Sequence, residues 1–299
     1  MPGFRTERAR HVTTQSFSRI DDLRRALSEA RRQGKRIGLV PTMGALHAGH
    51  IQLLETARSE CDLVVASIFV NPIQFDRHDD LDRYPRPLEK DIEACHKASV
   101  DLVFAPSAQE MYGEGHDVLI EPGSVAENLC GRYRSGHFRG VATVVLKLFN
   151  VVQPGVAFFG EKDFQQLAVI RHMVAALNVP VEIRPVPTVR EPDGLAMSSR
   201  NRNLTAAERE AAPVLYHCLC VARDLVNGGE RDAAEVKRRA LGVMAATPQF
   251  RVEYLEVIDP DRIQPLVRIE GRVRVAAAAW LGSTRLIDNV AAARANTEL

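Results

Sequence analysis

The sequence predicts an α/β fold, a doubly wound and mostly parallel sheet followed by a smaller α+β unit. Three observations carry this. Short apolar, β-branched runs alternate with helical stretches up to about residue 187. One of these runs, within RIGLVPTMGALHAGHI at 36–51, breaks at glycine and passes straight into a helical pattern. After Pro185 and Pro187 the order changes to helices followed by strands.

Strands are expected at 37–41, 63–70, 101–105, 156–159 and 181–186. Helices fit around them at 21–33, 50–60, 88–99, 141–152 and 164–177, the arrangement that right-handed crossovers between parallel strands require. Beyond the prolines, helices at 206–226 and 233–246 precede strands at 251–258, 272–278 and 285–288. The division falls at 188/189, with a hinge near 187–194, giving a larger domain 1–188 and a smaller domain 189–299. The first eleven residues, dense in charge, read as a loose leader.

Composition narrows the function classes. With 299 residues and 45% hydrophobic content the chain can bury a sizeable core. Its 39 basic residues balance 38 acidic ones, a net charge of +1, so no basic face for nucleic acid or an anionic membrane is expected. Five cysteines without a CxxC pair read as reduced thiols of a cytoplasmic protein, packed as small apolar residues. No signal h-region or membrane-length apolar run is present. Small-molecule partners are expected.

The chemistry concentrates in three clusters. In the first, His47 and His50 sit where a strand hands over to a helix, the usual anion site of an α/β fold. Gly44 and Gly49 let the backbone turn sharply and lie close to a phosphate. Two histidines three apart also form a metal pair, but the following residues offer only Glu55 as a third ligand. The second cluster, FFGEKDFQQL, has Lys162 ahead of a helix to neutralise phosphate charge, while Asp163 caps that helix or faces a magnesium ion. In the third, Met197, Ser198, Ser199 and Arg200 follow a Pro-Asp-Gly turn beside the hinge and form a loop that can fold over a triphosphate. Taken singly, the last two also read as a capped helix terminus and a solvated linker.

Together the clusters resemble the HIGH and KMSKS elements of the nucleotidylyltransferase superfamily, here HAGH and MSSR. The likeness narrows to one family. PTMGALHAGH, SIFVNPIQF, the YPR ending at Arg86, HFRGVATVV, FFGEKDFQQL, VPTVREPDGLAMSSRN and WLGSTRLIDN follow in order over roughly residues 12–290. They are similar to pantothenate synthetase, the pantoate and β-alanine ligase family.

The resemblance implies a Rossmann-like domain 1–188 that binds nucleotide and pantoate, with 189–299 as a lid. It implies ATP-dependent condensation of (R)-pantoate with β-alanine through pantoyl adenylate, releasing AMP and diphosphate. Mg2+ is implied as the counterion of ATP, without a dedicated protein metal cage, and so is a homodimer. By motif, Met43, Gly44, Ala45, Leu46, His47, Ala48, Gly49 and His50 would line the ATP site, with His50 as proton donor. Gly160, Glu161, Lys162 and Asp163 would border the nucleotide, as would Val189, Met197, Ser198, Ser199 and Arg200. His47, His50, Lys162 and Arg200 are thereby the expected catalytic residues. Gln74 and Gln166 match the family's pantoate contacts, Gln74 also borders the amine substrate, and Asn71 and Phe69 support that pocket.

The chain departs from the family's pattern at Cys130 and Ser135, where glutamate and proline are usual, so His137 and Arg139 just beyond are left out of the expected site. Two other readings stand beside this one. An adenylyltransferase acting on a phosphate monoester would need more cationic groups than a glutamine-lined pocket offers. A nucleotide-binding relative without catalysis would not need His47, His50, Lys162 and Arg200 intact.

Overall fold

The computed structural model describes residues 13–115 and 117–293. The charged leader expected over the first eleven residues lies outside them. Six strands, β1 (Gln15–Phe17), β2 (Ile37–Thr42), β3 (Leu63–Ile68), β4 (Leu102–Phe104), β5 (Val156–Gly160) and β6 (Glu182–Val186), form one sheet in the order β1-β4-β3-β2-β5-β6. Every pairing in it is parallel. The sequence reading missed β1, whose three residues are too few to show alternation and which exists by pairing with β4.

The chain winds outward from β2 in both directions, so the strand order reverses between β2 and β5. That reversal is where α/β sheets open a crevice at their carboxyl ends. Here β2 pairs with β3 over six residues but with β5 only at Gly38 and Leu39. Pro41, which has no N–H, lies beyond the point where the second ladder stops.

The helices Ile20–Arg32, Ala48–Glu60, Leu88–Lys97 and Phe164–Ala176 fall close to their expected bounds. Two others differ. The helix expected at 141–152 begins at His137, because Gly136 at φ 74 turns the chain into it early. The helix expected at 206–226 is two, Ala206–Ala211 and Val214–Asn227, since Pro213 has no N–H to give the turn before it.

The remaining strands, β7 (Phe250–Ile258), β8 (Arg272–Leu281) and β9 (Thr284–Ala293), make an antiparallel sheet in the order β7-β8-β9. The last two run longer than expected, joined by a two-residue turn with Gly282 at φ 54. The alanine run 276–279 continues β8 despite its low strand propensity, because both of its faces are covered. Ala277 and Ala279 pack under the helices Val214–Asn227 and Ala233–Ala245, whereas Ala276 and Ala278 join an apolar cluster with Phe138, Phe164 and Ile170. Small side chains there let the second sheet lie close against the first unit. Among the described residues no helix is long and apolar enough to cross a membrane, and all five cysteines are free thiols.

Candidate active site

The site lies at the crevice between β2 and β5. A cavity of about 210 Å³ is lined there by His47 and His50 at the start of Ala48–Glu60, by Gly160 at the end of β5 and Lys162 just after it, and by Ser199 and Arg200. It opens into a cleft of about 620 Å³ against the second sheet, which shares Tyr84, Arg134, Lys162 and Asp163 with it. The smaller space is the candidate site, since neither histidine borders the larger one.

The two histidines form an unusual helix cap. His47 is the N-cap residue and its Nδ1 accepts the N–H of Gly49 at 3.2 Å, while Nδ1 of His50 accepts the N–H of His47 at 3.3 Å. Amides expected to face a phosphate are therefore engaged by the imidazoles. Because each Nδ1 is an acceptor, the neutral ring must carry its proton on Nε2. The rings lie 4.1 Å apart between centroids. Burial, then Lys162, lowers the pKa of His47 to about 4, and burial, then His47, lowers that of His50 to about 3. At neutral pH both are uncharged Nε2–H donors, so the helix's positive end acts on the cavity through two rings.

The turn before them is held by a residue the sequence reading missed. Asp91, buried in Leu88–Lys97, accepts the N–H of Ala45 and the N–H of Leu46, each at 2.8 Å. Gly44 at φ 80 passes so close that a Cβ would meet Asp91 Oδ2 at 2.8 Å. Gly44, Ala45 and Leu46 accordingly face Asp91 rather than the cavity, and Ala48 does not line it either. Glu161 also turns away, toward Arg274 at 3.8 Å. These five do not border the cavity, because their polar groups are engaged elsewhere or their side chains are too short.

Met43, His47, Gly49, His50, Gly160, Lys162, Asp163, Val189, Met197, Ser198, Ser199 and Arg200 do line the cavity, as do Phe69, Asn71, Gln74 and Gln166. Asp163 makes no helix-capping bond with its side chain. It lies deep in the molecule, yet its carboxylate opens on the cavity, at 48% side-chain exposure. Burial pushes its pKa up, but Lys162 and then Arg200 outweigh that and hold it below the ordinary carboxylate range. Arg200 itself reaches Asp80 Oδ2 at 3.0 Å. Ser198 caps the short turn Ser199–Asn203, its Oγ accepting the N–H of Arg200 at 3.3 Å.

On the other wall, Gln74 is oriented on both ends of its amide. Its Oε1 accepts from Asn71 Nδ2 at 3.0 Å and its Nε2 lies 3.0 Å from Met43 Sδ. Asn71 in turn bonds the carbonyl of Gly140 at 3.1 Å and accepts from the Tyr112 hydroxyl. His137, left out of the expected site, also lines the cavity. Its Nδ1 donates to the Gln74 carbonyl at 2.8 Å and its Nε2 accepts from Arg134 at 3.1 Å. Cys130 is held in this region: its N–H donates to Gln165 Oε1 at 2.9 Å and its Sγ lies 3.2 Å from the Tyr254 hydroxyl. Arg139 does not border the cavity.

Among the described residues no group of three or more His, Cys, Asp or Glu side chains could cage a metal ion. Asp163 alone fits the way Mg2+ is held beside nucleotides, by one or two carboxylates and phosphate oxygens with water completing the shell. The second histidine reading, a metal pair, does not fit, since both Nδ1 atoms accept backbone N–H groups.

Comparison with known proteins shows the family. The family model described as pantoate-beta-alanine ligase matches residues 15–291. A pantothenate synthetase of Moorella thermoacetica is 51% identical over 271 residues, 91% of this chain and 96% of the relative. The crystal structure of pantothenate synthetase from Thermus thermophilus superposes with a TM-score of 0.87 at 46% identity, covering 92% of this chain and 98% of that one. Pantoate-beta-alanine ligase from Francisella tularensis, crystallised with β-γ ATP and β-alanine, gives 0.76 at 35% identity over 93% and 97%. With the match running from the edge strand β1 into β9, the chain belongs to the pantoate-beta-alanine ligase family.

Proposed function

We infer that the chain carries out the ATP-dependent condensation of pantoate with β-alanine by way of pantoyl adenylate. The observation that carries this reading is one cavity with two kinds of wall: neutral and cationic donors on one side, a fixed carboxamide on the other. A carboxylate oxygen of pantoate attacks the α-phosphorus of ATP, the bond to the β-phosphate bridging oxygen breaks, and diphosphate leaves. The amine of β-alanine then attacks the acyl carbon and loses a proton, the bond to AMP breaks, and pantothenate is released.

The residues suit this division of labour. Nε2–H of His47 and of His50 donate to phosphoryl oxygens as charge builds in the transition state, aided by the ammonium of Lys162. With a pKa near 3, His50 acts as a hydrogen-bond donor rather than as the proton donor that the resemblance implies. Arg200 exchanges Asp80 for phosphate oxygens, with Ser198 and Ser199 beside it. Gln74 and Gln166 bind pantoate, and neutral amides leave its carboxylate nucleophilic where a cation would damp it. Phe69 and Asn71 back that wall. When bound, Mg2+ neutralises phosphate charge, and Asp163 is the carboxylate that would hold it. The division at 188/189 belongs to this reading, since Ser198, Ser199 and Arg200 come from the second unit, and so do a cytoplasmic location and a homodimer.

The test is pantoate-dependent exchange of labelled pyrophosphate into ATP without β-alanine. Exchange supports a reversible acyl-adenylate step. Its absence in folded, ATP-binding protein, or exchange driven by a phosphate monoester instead of pantoate, overturns the reading.

A further inference from the structure

On strand β9 the polar side chains of Asp288 and Asn289 are only 4% and 5% exposed. Asn289 reaches across to the loop after β5, where its Nδ2 donates to the carbonyls of Glu161 at 2.9 Å and of Lys162 at 3.0 Å. Its Oδ1 accepts from Arg274 Nη1 at 3.1 Å. A guanidinium can only donate and a carbonyl can only accept, so the orientation of this amide is settled by its partners. Arg274 is held in turn, with its guanidinium 4.2 Å over the Phe164 ring and 3.8 Å from Glu161 Oε2. Asn289 and Arg274, both from the second sheet, thus grip the loop through two of its main-chain carbonyls and one carboxylate. Neither Asn289 nor Arg274 borders the cavity of about 210 Å³ that holds the histidines.

We propose that Asn289 is a positioning residue for Lys162, setting the direction from which its ammonium approaches the phosphates. The inference rests on the reading of Lys162 given above. A lysine has a flexible four-carbon stem, so the reach of its charge depends on how firmly its own main chain is held. Stabilising a developing charge demands such placement, because a displacement of about 1 Å can cost on the order of 10²-fold in rate.

The experiment compares pantoate-dependent pyrophosphate exchange in the full-length protein with that of Asn289→Ala, Asn289→Asp, Lys162→Ala and the double variant Asn289→Ala/Lys162→Ala. Asn289→Asp has the same shape and keeps its partner Arg274, but it loses both donors and sets an anion against two carbonyls; it carries the comparison if Asn289→Ala does not fold. Each Asn289 variant is expected to lower the maximal exchange rate about 10- to 100-fold, with the pantoate KM unchanged. In the Lys162→Ala background the Asn289 change is expected to add nothing, since its route runs through that side chain. Losses that multiply in the double variant overturn the inference and leave the role of Lys162 standing, as does full activity of both Asn289 variants. Full exchange by Lys162→Ala removes the reading of Lys162 itself, and the inference with it.

Discussion

Single atoms decide the chemistry of the histidine pair. A histidine with Nδ1 free could carry its proton on either nitrogen, but here two backbone N–H groups fix both tautomers. Removing either ring from His47 or His50 by substitution to alanine is expected to slow adenylation by about 10²–10³-fold, the usual effect of losing one donor aimed at developing charge. With pKa values of about 4 and 3, both rings stay largely neutral down to about pH 5 in the folded protein. The rate of pyrophosphate exchange should therefore show no acid limb from them between neutrality and about pH 5. An acid limb centred near 6.5 that disappears in the alanine variants would overturn the neutral-donor role. Gln74 makes a different prediction: with Asn71 and Met43 holding its amide, Gln74→Ala should raise the pantoate KM far more than the ATP KM. Equal changes in steady-state titrations of the two substrates would point instead to a general collapse of the pocket. The spacing of HAGH revealed the pair, but not which nitrogen donates, because that depends on cap geometry.

Among the elements, the helix His137–Val152 matters most to the wall that carries Gln74. It lies so close to the turn Pro72–Gln74 that a Cβ on Gly140 would meet the carbonyl of Ile73 at 2.4 Å and the Gln74 backbone at 2.7 Å. Both are main-chain atoms, which cannot swing aside as a flexible side chain can. Gly140→Ala is thus expected to destabilise the protein by about 1–3 kcal/mol through overpacking, and to weaken pantoate by displacing Gln74. Chemical denaturation and a pantoate titration check both halves, and unchanged values in each would refute the close approach. Most helices and strands were legible from their apolar periodicity, since one covered face repeats along the chain. The exceptions have local causes. Too short to alternate, β1 depends on its partner strand, and β8 runs through alanines whose strand state comes from burial on two sides. Asp91 was invisible for another reason: its partners Ala45 and Leu46 are 46 and 45 residues away.

Across the whole molecule, burial of neutral histidines couples stability to pH. His47, His50 and His137 have folded pKa values of about 4, 3 and 3 against 6.5 for the free group, burial being the main cause in each. The folded values are depressed, so below 6.5 the unfolded chain takes up protons that the folded one refuses. Stability is fully present above about pH 6.5 and is lost as pH falls toward 4 and then 3. The urea midpoint should accordingly drop between neutrality and about pH 5, and His137→Asn should shallow that drop. A midpoint that stays level over this interval would contradict the burial of the three rings.

By itself the sequence determined the class of fold, the order of its longer elements and the candidate groups for a phosphate and an acid. These follow from periodicity along the chain and from motifs whose members lie within a few residues of one another. Tertiary structure alone decided which groups face the cavity and which hold it in shape. Glu161 lies inside a motif yet turns to Arg274, while Asn289, 127 residues from Lys162, grips the loop that carries it. The physical reason is that a hydrogen bond depends on direction and on distances near 3 Å, and neither is encoded in spacing along the chain until the two sheets pack together.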